Sequence, residues 1–255
     1  MTTLMDFPLR LFAVTFVTLW LFAWIGAAAF RKLRSEATEM QENFAVVQGA
    51  TLTLLGLIIG FTFSMALTRY DQRKNYEEQE ANAIGTEYVR ADLLPASDAA
   101  KVRALLVQYV EQRELFYRTR DAEEYRQVNI KTAKLQAELW KAVTVPTSVQ
   151  PNPLGALVLA GMNDVLNTQG YTQAAWWNRI PHAAWLLMSA IALVSTMLVG
   201  IGAKKARAGS ALLVVLPLVI AIAFFLIADI DSPRGGVIRV SPQNLQSLLQ
   251  ALRAQ

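Results

Sequence analysis

Four long apolar runs, residues 11–30, 44–67, 183–203 and 211–228, confine this chain to a membrane. None contains Asp, Glu, Lys or Arg, and the first acid after the fourth run is Asp229 at its edge. Each approaches the ~20 residues a helix needs to cross ~30 Å of hydrocarbon. In lipid an unpaired backbone group costs several kcal/mol, so each run must be helical. The runs therefore predict an all-α integral membrane protein with four transmembrane helices, at about 11–30, 44–67, 183–203 and 211–230.

Composition agrees and narrows the functions open to the chain. It is 54% hydrophobic with a mean hydropathy of +0.30, high for a soluble domain. The first run does not read as a signal peptide: it is too long for an h-region and lacks a clear A-x-A site before Arg31. There is no Cys, which excludes disulfides and thiolate chemistry. The net charge of +4 is spread along the chain, with no dense basic arm of the kind that binds nucleic acid. Weak attraction to anionic lipid headgroups accounts for that balance.

The spans come as two pairs, each joined by a short basic turn: Arg31, Lys32 and Arg34 in one, Lys204, Lys205 and Arg207 in the other. Residues 69–182 form an extramembrane domain between the pairs, and 231–255 a C-terminal tail. The positive-inside count favours cytoplasmic turns and an external middle domain. Arg69, Arg73, Lys74 and Arg179 argue for the opposite arrangement.

The middle domain reads as helical. Val102, Leu105, Leu106, Tyr109, Val110 and Leu115/Phe116 form an amphipathic stripe, and Tyr125, Val128, Leu135 and Leu139 form another. Pro146, Pro151 and Pro153 are expected to break the chain, with Asn152-Pro153 capping a third helix that runs to Trp176–Trp177. Those two Trp suit a membrane interface. Gly235-Gly236 is the one tight-turn candidate, and Leu245, Leu248, Leu249 and Leu252 predict a short amphipathic helix over 243–253.

The second span is the most informative. Gly49, Thr53, Gly56, Gly60, Ser64 and Thr68 form one small, mildly polar face, with Gly56, Gly60 and Ser64 as the helix-packing positions. Packing against another span of the same chain is one reading. The other is a ring of helices in which this face, or the side bearing Ile58, Ile59, Phe61 and Phe63, lines a pore. A bulky apolar constriction can gate ions by dewetting. No Pro follows until Pro95, so one helix of about 45 residues, ~65–70 Å long, is expected to leave the bilayer.

The spans end in charge. Arg69, Asp71 and Arg73 follow the second, and Asp229 and Asp231 close the fourth, which runs in the same direction. Opposite charges at a membrane edge tend to pair, so a structural clamp between the two helix ends is the first reading. An ion vestibule is the alternative.

The stretch Leu54-Leu55-Gly56-Leu57-Ile58-Ile59-Gly60-Phe61-Thr62-Phe63-Ser64, followed by Arg69-Tyr70-Asp71-x-Arg73, resembles the bacterial bestrophin-like domain family. Glu80-Ala81-Asn82-Ala83-Ile84-Gly85-Thr86, Arg90-Ala91-Asp92-Leu93-Leu94-Pro95 and Asp229-x-Asp231-x-Pro233 are similar as well. The resemblance runs from about Gly49 to the C-terminus. It implies a multi-pass protein of the bacterial inner membrane, distantly similar to bestrophins, which are homopentameric anion channels with a hydrophobic neck on the second helix. By that likeness Ile58, Ile59, Phe61 and Phe63 are neck candidates, chloride or another small anion is the cargo, and the middle domain is cytosolic. The long C-terminal extension of animal bestrophins and an evident acidic Ca²⁺ clasp are missing from this sequence.

Catalysis has little support. His182 is the single His, so a metal centre and a metal cofactor are not expected. No G-x-S-x-G, H-E-x-x-H or Walker A pattern occurs. Glu77/Glu78 and Glu123/Glu124 read as solvated helix faces. Two functions remain: an oligomeric anion channel, or a membrane-anchored scaffold whose helical domain binds a partner.

Overall fold

The computed structural model describes residues 4–33, 40–149, 151–203 and 211–254, and these are helical with short connections. The helices are α1 (Pro8–Leu33), α2 (Met40–Arg90), α3 (Ala96–Arg118), α4 (Ala122–Val149), α5 (Pro153–Trp177), α6 (His182–Gly202), α7 (Ala211–Asp231) and α8 (Gln243–Arg253). Single 3₁₀ turns sit at Leu4–Asp6 and Ala91–Leu93. Among the described residues four helical stretches are long and apolar enough to cross a membrane; they lie within Pro8–Ala28, Phe44–Leu93, Pro153–Gly202 and Leu213–Asp231. In the two basic turns, Arg34, Lys204, Lys205 and Arg207 lie outside the described residues.

α2 runs unbroken for 51 residues, which at 1.5 Å per residue is about 75 Å. The expected continuation past Tyr70 is therefore present. The helix ends at Arg90 because the 3₁₀ turn and the extended Leu94 precede Pro95, which disfavours helix in the residue before it. The chain divides into two compact units: Met1–Arg69 with Arg179–Ile238, and Tyr70–Asn178 with Arg239–Gln255.

In the first unit α1 lies against both α6 and α7. No hydrophobic effect drives helices together in lipid, so backbones must approach closely enough for dispersion to act. Two glycines allow this. A Cβ on Gly26 would overlap the Met197 carbonyl oxygen, and one on Gly200 would overlap that of Ala23. Ala23, Ala27 and Leu213 fill the space beside this crossing. Phe12 meets Phe225 edge-on at 6.3 Å, and Trp185 meets Phe224 in the same way at 6.0 Å. Gly200→Leu is expected to cost about 1–3 kcal/mol or more, because the clash is with backbone that cannot step aside. A thermal melt of the purified variant in detergent checks this, and an unchanged midpoint contradicts it.

The second unit packs α3, α4, α5 and α8 around the later half of α2, with a core that includes Ile84, Val102, Leu106, Leu139, Val143, Met162 and Leu245. The buried stripe of α2 here is Arg73, Glu77, Glu80, Ile84 and Glu87, stepping by three and four, and Ala91 of the following 3₁₀ turn continues it. Glu77 is thus not on a solvated face, as its neighbour Glu78 is. Its carboxylate accepts the Leu245 backbone N–H at 3.0 Å and the Asn244 amide at 2.6 Å. It therefore caps the first turn of α8, whose donors have no partner within the helix. Burial pushes the Glu77 carboxyl above its ordinary value, and the hydrogen bonds from Leu245 and Asn244 only partly offset this.

Two further points of the sequence reading concern proline. Asn152 caps α5 as expected, accepting the Gly155 N–H at 2.8 Å, with Pro153 in the first helical position. Pro146 does not break the chain: α4 continues through it to Val149. Nearby hydroxyls bond back to the helix, with Thr144 donating to the Trp140 carbonyl at 2.9 Å, Thr147 to Val143 at 2.7 Å and Ser148 to Val145 at 2.8 Å; none of these is the Ala142 carbonyl, whose helical donor Pro146 lacks.

Candidate functional site

The first half of α2 has three unlike faces. Leu55, Thr62 and Ala66 are buried and mark the side turned to the rest of its unit. Ile58 and Ile59 flank that stripe and are half-buried. Opposite runs a bare apolar stripe at i, i+4 and i+8: Leu57 is 53% exposed, Phe61 65% and Met65 40%. The third face carries the small residues. A Cβ on Gly49, Gly56 or Gly60 would meet nothing within 4 Å, and Ser64 is exposed. Among the described residues, no other span lies within 4 Å of these glycines' Cβ positions. The glycines at the α1–α6 crossing are Gly26 and Gly200, and a Cβ on Gly202, two residues further along α6, would meet Gln48 Oε1 of α2 at 3.0 Å; none of them belongs to a periodic glycine pattern.

Helix geometry sorts the four neck candidates. At 3.6 residues per turn, Ile58 and Phe61 are about 60° apart, Ile59 and Phe63 about 40°, and the two pairs point in different directions. Phe63, 39% exposed, lies on the glycine side. One axis can thus be lined by Phe61 or by Phe63, not by both. The hydroxyls along the span are internally engaged: Thr53 donates to the Gly49 carbonyl at 2.9 Å, Thr62 to Ile58 at 2.8 Å and Thr68 to Ser64 at 2.9 Å. Such back-bonding makes Thr tolerable at an apolar surface.

The charged residues expected at the membrane edge fall in both units. Arg69, Asp229 and Asp231 belong to the first, Asp71 and Arg73 to the second. Asp229 and Asp231 are both buried. Asp229 accepts the backbone N–H groups of Val237 and Ile238, each at 2.8 Å, and so ties the turn at 233–235 back to the end of α7. Asp231 accepts Arg179 Nε at 3.0 Å and the Ile180 backbone N–H at 3.2 Å. Arg179 also gives Nη1 to Asp6 at 2.9 Å. It therefore links the approach to α6, the end of α7 and the N-terminal turn. Sequence reasoning placed Arg179 beside the interfacial Trp and did not assign it this role; its partners are 52 and 173 residues away. Arg69 Nη2 approaches the Met65 sulfur at 3.6 Å. Asp71 is exposed, while Arg73 is buried and donates Nε to the Ala175 carbonyl at 3.4 Å. Among the described residues no group of His, Asp or Glu is placed to hold a metal ion.

A second buried centre lies in the helical unit. Arg113 of α3 forks onto Glu80 of α2, with Nε on Oε1 and Nη2 on Oε2 at 3.4 Å. Tyr117 and Thr172 hydroxyls donate to the same Oε2 at 3.4 and 3.3 Å. The Arg113 guanidinium stands 4.2 Å over the Phe116 ring, which meets Trp176 at a tilt of 59° with ring centroids 4.7 Å apart. Burial pulls Arg113 toward neutrality, but the charge and hydrogen bond of Glu80, together with Tyr109 and Tyr117, outweigh it and hold the cation above its ordinary value.

These features define an all-α, multi-pass membrane protein. Its second span leaves two faces uncovered and continues as one helix into a polar helical unit. The chain belongs to the bestrophin-like domain family, whose model matches residues 13–245. Crystal structures of a bacterial bestrophin homologue from Klebsiella pneumoniae share the fold. One aligns with a TM-score of 0.65 at 14% identity, covering 96% of this chain and 95% of that one. Two point variants of the homologue align at 0.69 and 0.66, each at 12% identity, covering 96% and 97% of this chain and 97% and 99% of theirs. At such identities the likeness is one of fold. No curated protein matches the sequence.

Proposed function

We propose that the protein is a homo-oligomeric anion channel of the bacterial inner membrane, pentameric by likeness to bestrophins, in which the α2 helices of the copies surround an axis. One observation carries this reading: α2 is bare where it is both smallest and bulkiest. Glycine costs about 1 kcal/mol in a helix relative to Ala, a cost with no return unless another backbone comes close. Among the described residues nothing lies within 4 Å of a Cβ on Gly49, Gly56 or Gly60. A neighbouring copy on that face turns the adjacent face, about 100° away around the helix, toward the axis. Leu57, Phe61 and Met65 then form the neck, with Ile58 at its flank. An apolar ring of this kind passes ions only when wetted and needs no charged residue in the span. Chloride or a similar small anion is the cargo.

The test is the mass of the protein purified in mild detergent. A closed ring of copies is expected. A monomer ends this reading and leaves the second one, a membrane-anchored scaffold. That second reading is favoured by Val145, Val149, Leu154 and Leu157, which are exposed around the α4–α5 connection and offer a surface for a partner protein.

A further inference from the structure

We propose that Glu87 is a proton-operated latch in the helical unit: the neutral acid lets α5 lie against α2, and ionisation loosens that seam. The inference concerns this unit alone and stands whether or not the protein conducts ions. Glu87 is fully buried, and neither of its carboxyl oxygens has a hydrogen-bond partner in the protein. Its Oε2 is turned onto the backbone of α5. A Cβ on Gly161 would overlap that oxygen and would lie 2.5 Å from Arg90 Nη1. Around this point α5 presents Val158, Met162 and Val165, all fully buried. The seam is therefore tight, and the carboxyl in its path has no hydrogen-bond donor on it, although Arg90 Nη1 reaches the same point of α5.

An isolated carboxylate in such a place is costly unless paired, whereas the neutral acid is far cheaper to bury. The charges that act on Glu87 are Arg90 on its own helix and Asp164 on α5, and they oppose each other. Burial dominates, Arg90 pulls back and Asp164 adds to the rise, so the carboxyl is pushed up to about 8. When the seam opens, Glu87 regains water and its ordinary value of 4.5. Closure is thus favoured most below that value. Between about 4.5 and 8 the open form sheds a proton that the closed form keeps. Opening then becomes about tenfold easier per pH unit, and it levels off above about 8.

Hydrogen exchange on the full-length protein in lipid nanodiscs tests this. Amides of residues 84–90 and 158–165 are followed, and each rate is divided by its intrinsic rate at the same pH. Between about pH 5.5 and about pH 7.5 the wild-type opening constant is expected to rise about 100-fold, while Glu87→Gln shows no such rise. Equal slopes in the two proteins, or a flat wild type, overturn the proposal. Should Glu87→Gln fail to fold, the infrared carbonyl band of a protonated carboxyl decides the matter on the wild type. A band present at about pH 7 and lost around pH 8–9 supports the latch; its absence at about pH 7 overturns it.

Discussion

Glu80→Ala is expected to cost the helical unit about 3–5 kcal/mol, because it strands the Arg113 guanidinium in a core from which water is excluded. Both side chains of this pair are fully buried. Removing the acid also takes the acceptor from Tyr117 and Thr172. Replacing the pair together is a different experiment. Glu80→Leu with Arg113→Met removes both charges and both desolvation costs, and such exchanges are often neutral or stabilising. Denaturant unfolding monitored by far-ultraviolet circular dichroism reads the difference. The single variant should lose most of its transition, and the double should recover most of it. A single variant as stable as the wild type would show that Arg113 finds water or another partner.

Phe61→Ala has the largest expected effect on function, and in the direction of gain. If Leu57, Phe61 and Met65 ring the axis, the barrier to ions there is the cost of wetting an apolar constriction. Each ~1.4 kcal/mol removed from such a barrier raises the rate about tenfold. Phe61→Ala should therefore speed anion efflux from liposomes by about tenfold or more, and Leu57→Ala should do so less. Ile59→Ala, on the flank of the buried stripe, should leave the rate near that of the wild type. Slower or unchanged efflux in Phe61→Ala assigns the barrier elsewhere.

Much of the fold is legible in the sequence because lipid leaves few choices. Uncharged runs of span length must be helices, and the lack of Pro between residues 44 and 94 is enough to carry α2 out of the membrane. The buried face of its later half is not legible in the same way. Arg73, Glu77, Glu80 and Glu87 have the helical spacing of a core stripe, but they are charged, so hydrophobic periodicity passes over them. Glu77 and Glu78 look alike as letters, and only the position of α8 separates a cap from a solvated acid. Pro146 misleads because a proline forgoes a single ladder bond, and α4 continues through it to Val149. At the candidate site the sequence singles out α2 and its residue types. It does not say which face stays bare, because that depends on where α1, α6 and α7 lie. Nor does it pair Asp231 with Arg179, a contact set by the return of the chain after α5.

In the proposed ring the bare Leu57–Phe61–Met65 stripe faces the ion path rather than lipid. The chain has no Cys, so single cysteines introduced into it are unambiguous probes. Leu57→Cys, Phe61→Cys and Met65→Cys, with Leu187→Cys and Val194→Cys on α6 as exposed apolar controls, are reconstituted and treated with a charged, water-soluble thiol reagent. Reaction and a change in anion flux are expected at the three α2 positions and at neither control. Three unreactive α2 cysteines in a flux-competent preparation, or reaction at the α6 positions alone, would contradict that claim.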